Sequence, residues 1–404
     1  MDLFGLEREA RIIKSGVREV FTPHKPISKV DLLFGRQDEV RKLVETLNTP
    51  GQHVLLYGER GVGKSSLSNI VAEVLWVAVT PKQFAKSCDQ SDTFETIMLE
   101  PLREVGADLT LTEMTERSSN ARQTGFKLNA FDIAKERNRE LVATYKTVGS
   151  LSPSSVAVAI RDLRGFLVID EADAITDPND RRKIAELIKH LSDSGSPFKL
   201  MVVGIAETGS ELTAAHPSVQ RCLKETKLAR MTDTELRQIV VSGAEKLKLK
   251  FTQPVINSIV RLSAGYPHFT HLLALKCAEE AINERRKEIQ PHHLIDALKL
   301  ATADAEGTLK RIYDDATRSH VSTAYRDILM AAASLSTEEF SASDLRGAYE
   351  RTTGHSITQG SLNNYFTRLI SKDESAILRR TAQGVYRFQD PRMSSYIRIV
   401  NQMV

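Results

Sequence analysis

"YGERGVGKSSLSNI", Tyr57 to Ile70, places three glycines and a lysine at a joint in the chain. Before it, "HVLLY" (His53–Tyr57) is a continuous apolar run bounded by Gly51 and Gly58, the pattern of a strand buried in a parallel sheet. After it the sequence opens a helix. The stretch Gly58, Glu59, Arg60, Gly61, Val62, Gly63, Lys64, Ser65 spells G-x-x-x-x-G-K-[ST] in the strand-to-helix context that gives the spacing its meaning. Glycines let backbone N–H groups converge on phosphate oxygens without a Cβ in the way, and the helix N-terminus adds partial positive charge. The expected occupant is a nucleoside triphosphate. Lys64 is expected to neutralise its β- and γ-phosphates, Ser65 to ligate Mg²⁺, and the residues from Gly58 through Ser66 to line the phosphates.

Length and composition predict a folded intracellular protein of two or three domains. At 404 residues it exceeds one ordinary core, and 41% hydrophobic with 26% charged residues is the balance of a folded soluble protein. A net charge of +3 is too weak to imply nucleic acid. Cys88, Cys222 and Cys277 are odd in number and scattered, which reads as reduced core thiols rather than a metal or disulfide set. "VAEVLWVAV" (Val71–Val79) is too short to span a bilayer, and the charged N-terminus is no signal peptide; a cytosolic protein without membrane partners is expected.

"GFLVID" (Gly165–Asp170) and "KLMVVGI" (Lys199–Ile205) repeat the buried-strand signature, with an amphipathic helix carried by Ile184, Leu187, Ile188 and Leu191 between them. Strands alternating with helices predict an α/β sandwich on a parallel sheet over residues 31–228, preceded by an N-terminal arm (1–30) whose Pro23 and Pro26 enforce extended backbone. A polar insertion occupies about 105–150; "LTLTEMTERSSNARQTG" (Leu109–Gly125) has no sustained period, and partner contact and disorder are both open to it. After Arg230 the pattern is wholly helical: a helical unit over 229–310 begins at the capping box "TDTE" (Thr232–Glu235). Over 320–404, three helices followed by two short strands outline a winged helix.

"FLVIDEAD" supplies the chemical partner of the glycine-rich turn. An apolar strand delivers Asp170 to the sheet edge, where it can organise hydrated Mg²⁺, and Glu171 is suited to polarise an attacking water.

These two motifs with a helical appendage resemble the AAA+ ATPases over about Leu32 to Ile282, and within them the origin-recognition-complex-type and related bacterial ATPases. The resemblance implies a P-loop ATPase with a lid domain. "LLFGRQDEV" is similar to the box preceding the first strand. "VVGIAETGSEL" looks like the strand ending in a polar γ-phosphate sensor; Glu207 falls at that position and Thr208 follows. "HPSVQRCLKETKLARMTDTEL" resembles the segment carrying an arginine finger, and Arg221 matches its place; a finger acts on a neighbouring subunit, so the resemblance implies self-assembly. "SAGYPHFTHLL" looks like the lid helix that offers a second sensor arginine, a place taken here by Pro267 and His268. His292–His293 reads as a helix start rather than a metal site.

In the winged helix, "ITQGSLNNYFTRL" (Ile357–Leu369) would be the recognition helix. It leaves Gln359, Asn363, Asn364, Thr367 and Arg368 exposed to a major groove, with Arg379, Arg380 and Arg387 on the wing to reach phosphates. Residues 330–404 carry nine Arg/Lys against seven Asp/Glu, only +2, less than strong nonspecific DNA binding needs. The leading reading is a Mg²⁺-dependent, ATP-driven loader or regulator acting on duplex DNA. Two rivals stand beside it: a switch that recruits a protein effector, as in a bacterial antiviral defence system, and a transposition-type target-selecting ATPase.

Overall fold

The computed structural model describes residues 16–75, 82–106, 113–114, 143–144, 151–205, 217–303, 307–318, 323–335, 337–370 and 376–402. The Leu109–Gly125 stretch lies almost wholly outside them, as do Glu207 and Thr208.

Five strands form one parallel sheet: β1 (His53–Gly58), β2 (Lys82–Ser87), β3 (Gly165–Asp170), β4 (Lys199–Gly204) and β5 (Leu223–Leu228). Their spatial order is β2-β3-β4-β1-β5. The register pairs Leu55 with Val202 and with Glu225, and Ser87 with Asp170, so all five carboxyl ends share one edge. Alternation along each strand feeds two cores. Val54, Leu56, Val168 and Met201 face one side with α1 (Gln37–Asn48) and α2 (Lys64–Val74). Leu55, Leu167, Ile169 and Leu200 face the other. There they meet α3 (Phe94–Glu104), α4 (Pro153–Ala159) and α5 (Pro178–Asp193). Gly58 closes β1 because nothing larger fits: a Cβ there would sit 2.4 Å from the Leu228 carbonyl oxygen on β5.

A helical lid follows, built from α6 (Asp233–Lys246), α7 (Gln253–Ser263), α8 (Pro267–Asn283) and α9 (Pro291–Ala303). The predicted capping box is present, with Thr232 accepting from the Glu235 backbone and Glu235 reaching back. The arm packs against the lid: Phe21 is fully buried and fills the space a Cβ on Gly243 would need.

The C-terminal unit contains α10 (Gly307–Thr317), α11 (Ala324–Ser334), β6 (Phe340–Ser341), α12 (Ala342–Thr353) and α13 (Gln359–Leu369). It ends with β7 (Leu378–Ala382), β8 (Val385–Phe388) and α14 (Met393–Val400). Its antiparallel sheet runs in the order β6-β8-β7. The closing helix α14 returns to the lid: Ser395 Oγ donates to the Ser263 carbonyl at 2.9 Å, and Arg398 bonds the carbonyls of Arg261, Ala333 and Leu335. One sheet face, lid and C-terminal unit therefore share a single apolar core. No helix among the described residues is long and apolar enough to cross a membrane.

Candidate active site

The glycine-rich turn leaves β1 at Gly58 and enters α2 at Lys64. Gly61 (φ +85°) and Gly63 (φ +97°) take the left-handed backbone that bends the loop, a conformation only glycine adopts without strain. No side chain caps α2, whose N-cap is Gly63, so its first-turn N–H groups keep their hydrogen-bonding capacity for a ligand. Lys64 Nζ donates to the carbonyls of Gly58 at 2.9 Å and Glu59 at 2.8 Å. Burial pulls the Lys64 ammonium below its ordinary value, while Asp173 and Asp170 pull the other way. A cation half-withdrawn from water and held only by neutral carbonyls is a strong attractor for phosphate.

A cavity of about 320 Å³ opens at this edge and brings the predicted residues together: Arg60, Gly61, Val62, Gly63, Lys64, Ser65, Ser66, Asp170, Glu171, Pro267 and His268 all line it. Asp170 ends β3, and its Oδ1 accepts from the Glu171 backbone N–H at 2.9 Å. Glu171 stands at φ 55°, a left-handed conformation that costs a non-glycine residue on the order of 1–2 kcal/mol. Ser87, at the end of the neighbouring strand β2, donates its hydroxyl to Glu171 Oε2 at 3.1 Å. The strained backbone and this hydrogen bond fix the direction of the carboxylate.

Gly58, Glu59 and Arg221, also predicted, do not line the cavity; Gly58 stays behind the loop at the end of β1. The Glu59 side chain turns away from the cavity to meet Arg230 and Tyr266, so only its backbone serves the loop. Arg221 precedes β5, at the amino edge of the sheet, next to the start of β1: its carbonyl accepts from Gln52 Nε2 and its guanidinium pairs with Asp193 at 2.6 Å. Six strand residues, roughly 20 Å at about 3.3 Å each, separate it from the phosphate loop of its own chain. Any contact with a phosphate would have to be with another copy's.

The arm contributes a wall that the sequence did not assign to the site. Thr22 to Ile27 line the cavity; the Ile27 N–H donates to Ser66 Oγ at 3.0 Å, and His268 Nδ1 lies 2.8 Å from the Pro23 carbonyl. Phe34, Leu228, Met231 and Ile239 add an apolar end suited to a flat base. His271 accepts from the Thr22 N–H at 3.2 Å, and burial lowers it to about 4, so it is a neutral structural group here.

Glu284, His292 and His293 also converge, with both imidazole Nε2 atoms 3.2–3.3 Å from Glu284 Oε2. His293 Nδ1 accepts the Gln290 N–H at 2.9 Å, which leaves the neutral ring's proton on Nε2, donating to Glu284. That proton occupies the position a metal would need, and the trio serves as a helix start.

A family model described as Novel STAND NTPase 1 (nSTAND1) matches residues 26–341, from the arm through the lid into the C-terminal unit. The chain belongs to this family. The fold of this STAND NTPase is similar to that of the Walker-type ATPase of Pyrococcus abyssi, with 18% identity, 94% of this chain and 99% of that one covered, and a TM-score of 0.50. It is also similar to the Aeropyrum pernix ORC2 protein, described in ADPNP and ADP complexes, at 15% identity, 96% and 97% coverage and a TM-score of 0.50. A comparison with curated proteins finds no match. The parallel five-stranded P-loop fold with its helical lid is thus shared with these two proteins, and the phosphate loop is that of an NTPase.

Proposed function

We propose that this STAND NTPase is a Mg²⁺-dependent ATPase whose nucleotide state governs whether the C-terminal unit stays docked. The observation that carries the reading is the double role of the glycine-rich turn. Its Lys64 and free amides face the cavity, while its Glu59 is held by the hinge and lid. Arg230, just after β5, bridges Glu59 (2.9 Å) to Glu338 of the C-terminal unit (3.3 Å). Arg392, at the start of α14, packs on Gly61 closely enough that a Cβ there would meet its Cδ at 2.8 Å. A loop that grips phosphates with one side and the C-terminal unit with the other can transmit occupancy to docking.

In this reading Lys64 and the loop amides bind and orient the triphosphate, and Ser65 and Asp170 would hold Mg²⁺. The ion, when bound, supplies charge neutralisation on the phosphoryl oxygens. Glu171, aimed by Ser87, accepts a proton from the attacking water. Pro267 and His268 close the lid side, and Glu207 or Thr208 remains the proposed sensor. Arg221 acts on a neighbouring copy once subunits assemble. Small-angle scattering of the full chain with ADP and with a slowly hydrolysed ATP analogue tests the coupling: expansion or assembly with the analogue alone supports it, and identical profiles overturn it.

A second reading, docking on duplex DNA, has its own observation. Gln359, Asn363, Asn364 and Thr367 are exposed along one helix of the proposed winged-helix unit. Two of the cations expected to join them are placed otherwise: Arg368 donates to the carbonyls of Asp315 and Arg318, and Arg387 lines a chamber between the lid and the C-terminal unit. That leaves the switch, recruiting a protein effector, as the better supported reading. Fluorescence anisotropy with duplex DNA across salt separates the two, since binding with a steep salt slope favours DNA.

A further inference from the structure

A second chamber of about 600 Å³ lies between the lid and the C-terminal unit, behind the phosphate loop and apart from the nucleotide cavity. Five arginines line it: Arg230, Arg237, Arg261, Arg387 and Arg398, drawn from the hinge, α6, α7, β8 and α14. Its acids are Glu59, Glu338 and Asp233, and the first two are taken by Arg230. Among the described residues, the other four arginines form no ion pair.

Their remaining contacts are neutral. Arg237 Nη2 donates to Asn257 Oδ1 at 2.9 Å, but its Nη1 is buried without a partner, and so is Nε of Arg387. Arg398 spends its donors on three backbone carbonyls; burial pulls its guanidinium below the ordinary value, and the charges of Arg230 and Arg261 add to the effect. Four guanidinium groups without a carboxylate partner, lining a chamber with surplus positive charge, are costly unless an anion balances them. Guanidinium forks match phosphate oxygens two at a time. The volume falls in the range of small-molecule sites, and the walls come from two packed units, which suits a compact guest.

We propose that this chamber is a second anion site, binding a small molecule that carries several linked phosphates. The Asn257 amide and the Thr337 hydroxyl add neutral polar groups to its lining. Since α6 and α7 form one wall and β8 and α14 the other, a bound polyphosphate ties the C-terminal unit to the lid and favours the closed arrangement.

The test is isothermal titration of sodium tripolyphosphate into the 404-residue Lys64→Ala chain at low salt, so that the phosphate loop does not report. One saturable site is expected, weakened at least tenfold by Arg261→Glu, an exposed position that leaves the fold intact, and by Arg237→Ala with Arg387→Ala. Thermal unfolding of each variant confirms folding, and tripolyphosphate is expected to raise the Tm only where it binds. In the unsubstituted chain two sites are expected; a single site there, still lost with Arg261→Glu, would count against the phosphate-loop reading while upholding this one. Absence of saturable binding, equal affinity in Arg261→Glu, equal affinity for orthophosphate, or binding of a short duplex with none of tripolyphosphate would each overturn the proposal.

Discussion

Arg230 donates through Nε to the Glu59 carboxylate at 2.9 Å and lies over the Tyr266 ring at 4.7 Å, joining the second residue of the phosphate loop to the hinge and the lid. Burial alone would raise the Glu59 carboxyl, but the hydrogen bonds from Arg230 and Tyr266 outweigh it and hold the group below the usual carboxylate range. The pair is therefore an ion pair across the closed arrangement, with Glu338 as its third member.

Glu59→Gln weakens this junction without touching the loop backbone. Losing one charged hydrogen-bond partner at a largely buried site is expected to cost about 1–3 kcal/mol, seen as a lower Tm and a larger radius of gyration. Equilibrium affinity for a slowly hydrolysed ATP analogue is expected to rise relative to that for ADP, within the roughly 5- to 150-fold range typical of coupled sites. Combining it with Arg230→Gln should add little, because both remove the same contact. Fully additive effects would show that the two residues act separately.

Glu171→Gln retains the shape of the site but removes the base. Nucleotide affinity is expected to stay near its starting value while turnover falls about 10²–10⁴-fold. Ser87→Ala frees the carboxylate without removing it, so a smaller loss is expected, with affinity again unchanged. Steady-state phosphate release beside equilibrium binding checks both; unaltered turnover in Glu171→Gln would move the base elsewhere.

Arg221 cannot serve its own chain. A mixture of Arg221→Ala and Lys64→Ala chains, each inactive alone, is expected to recover activity, since one intact site pairs an unaltered Lys64 with an unaltered Arg221. Loss of the finger is worth about 10³–10⁵ in rate where the role holds. Mixtures that stay inactive at every ratio indicate an engine that works as a monomer.

Two buried histidines set an acid limit on the fold. Burial lowers His53 to about 3, with help from Lys199, and His271 to about 4, with help from His268; each accepts a backbone N–H through Nδ1. Both folded values lie below the ordinary 6.5, so their stability contribution is complete above pH 6.5. It is lost as pH falls towards the folded values, because the unfolded chain takes up protons first. Each group contributes a slope of up to about 1.4 kcal/mol per pH unit. Urea unfolding between pH 7 and 4 is expected to show a shallower slope in His271→Gln than in the unsubstituted chain; parallel curves would mean that His271 is protonated when folded.

The sequence was most legible where chemistry and burial coincide. β1, β3 and β4 are central strands with continuous apolar runs, and the G-x-x-x-x-G-K-S spacing has few other uses. The edge strands β2, "KQFAKS", and β5, "LKETKL", were not read because each buries only one or two side chains. Ser87 was hidden for the same reason: its meeting with Glu171 depends on the β2–β3 register, which no local pattern encodes. Glu59 was read as a phosphate-loop residue on position alone; the side chain's partners lie 171 and 207 residues away. The cavity wall made by Thr22–Ile27 likewise depends on how the arm folds back over α2, though its two prolines did announce extended backbone. Helices α10 and α14 went unread, the latter because a short amphipathic run after a hairpin resembles a chain terminus.

The central claim is that the amides and the ammonium at Lys64 grip a magnesium-bound triphosphate opposite Asp170. Equilibrium titration of MgATP into the full chain and into Lys64→Ala tests it most directly. Saturable one-to-one binding that depends on Mg²⁺ and disappears with Lys64→Ala is the predicted result. Equal affinity in the two chains, with both shown to be folded, would contradict it.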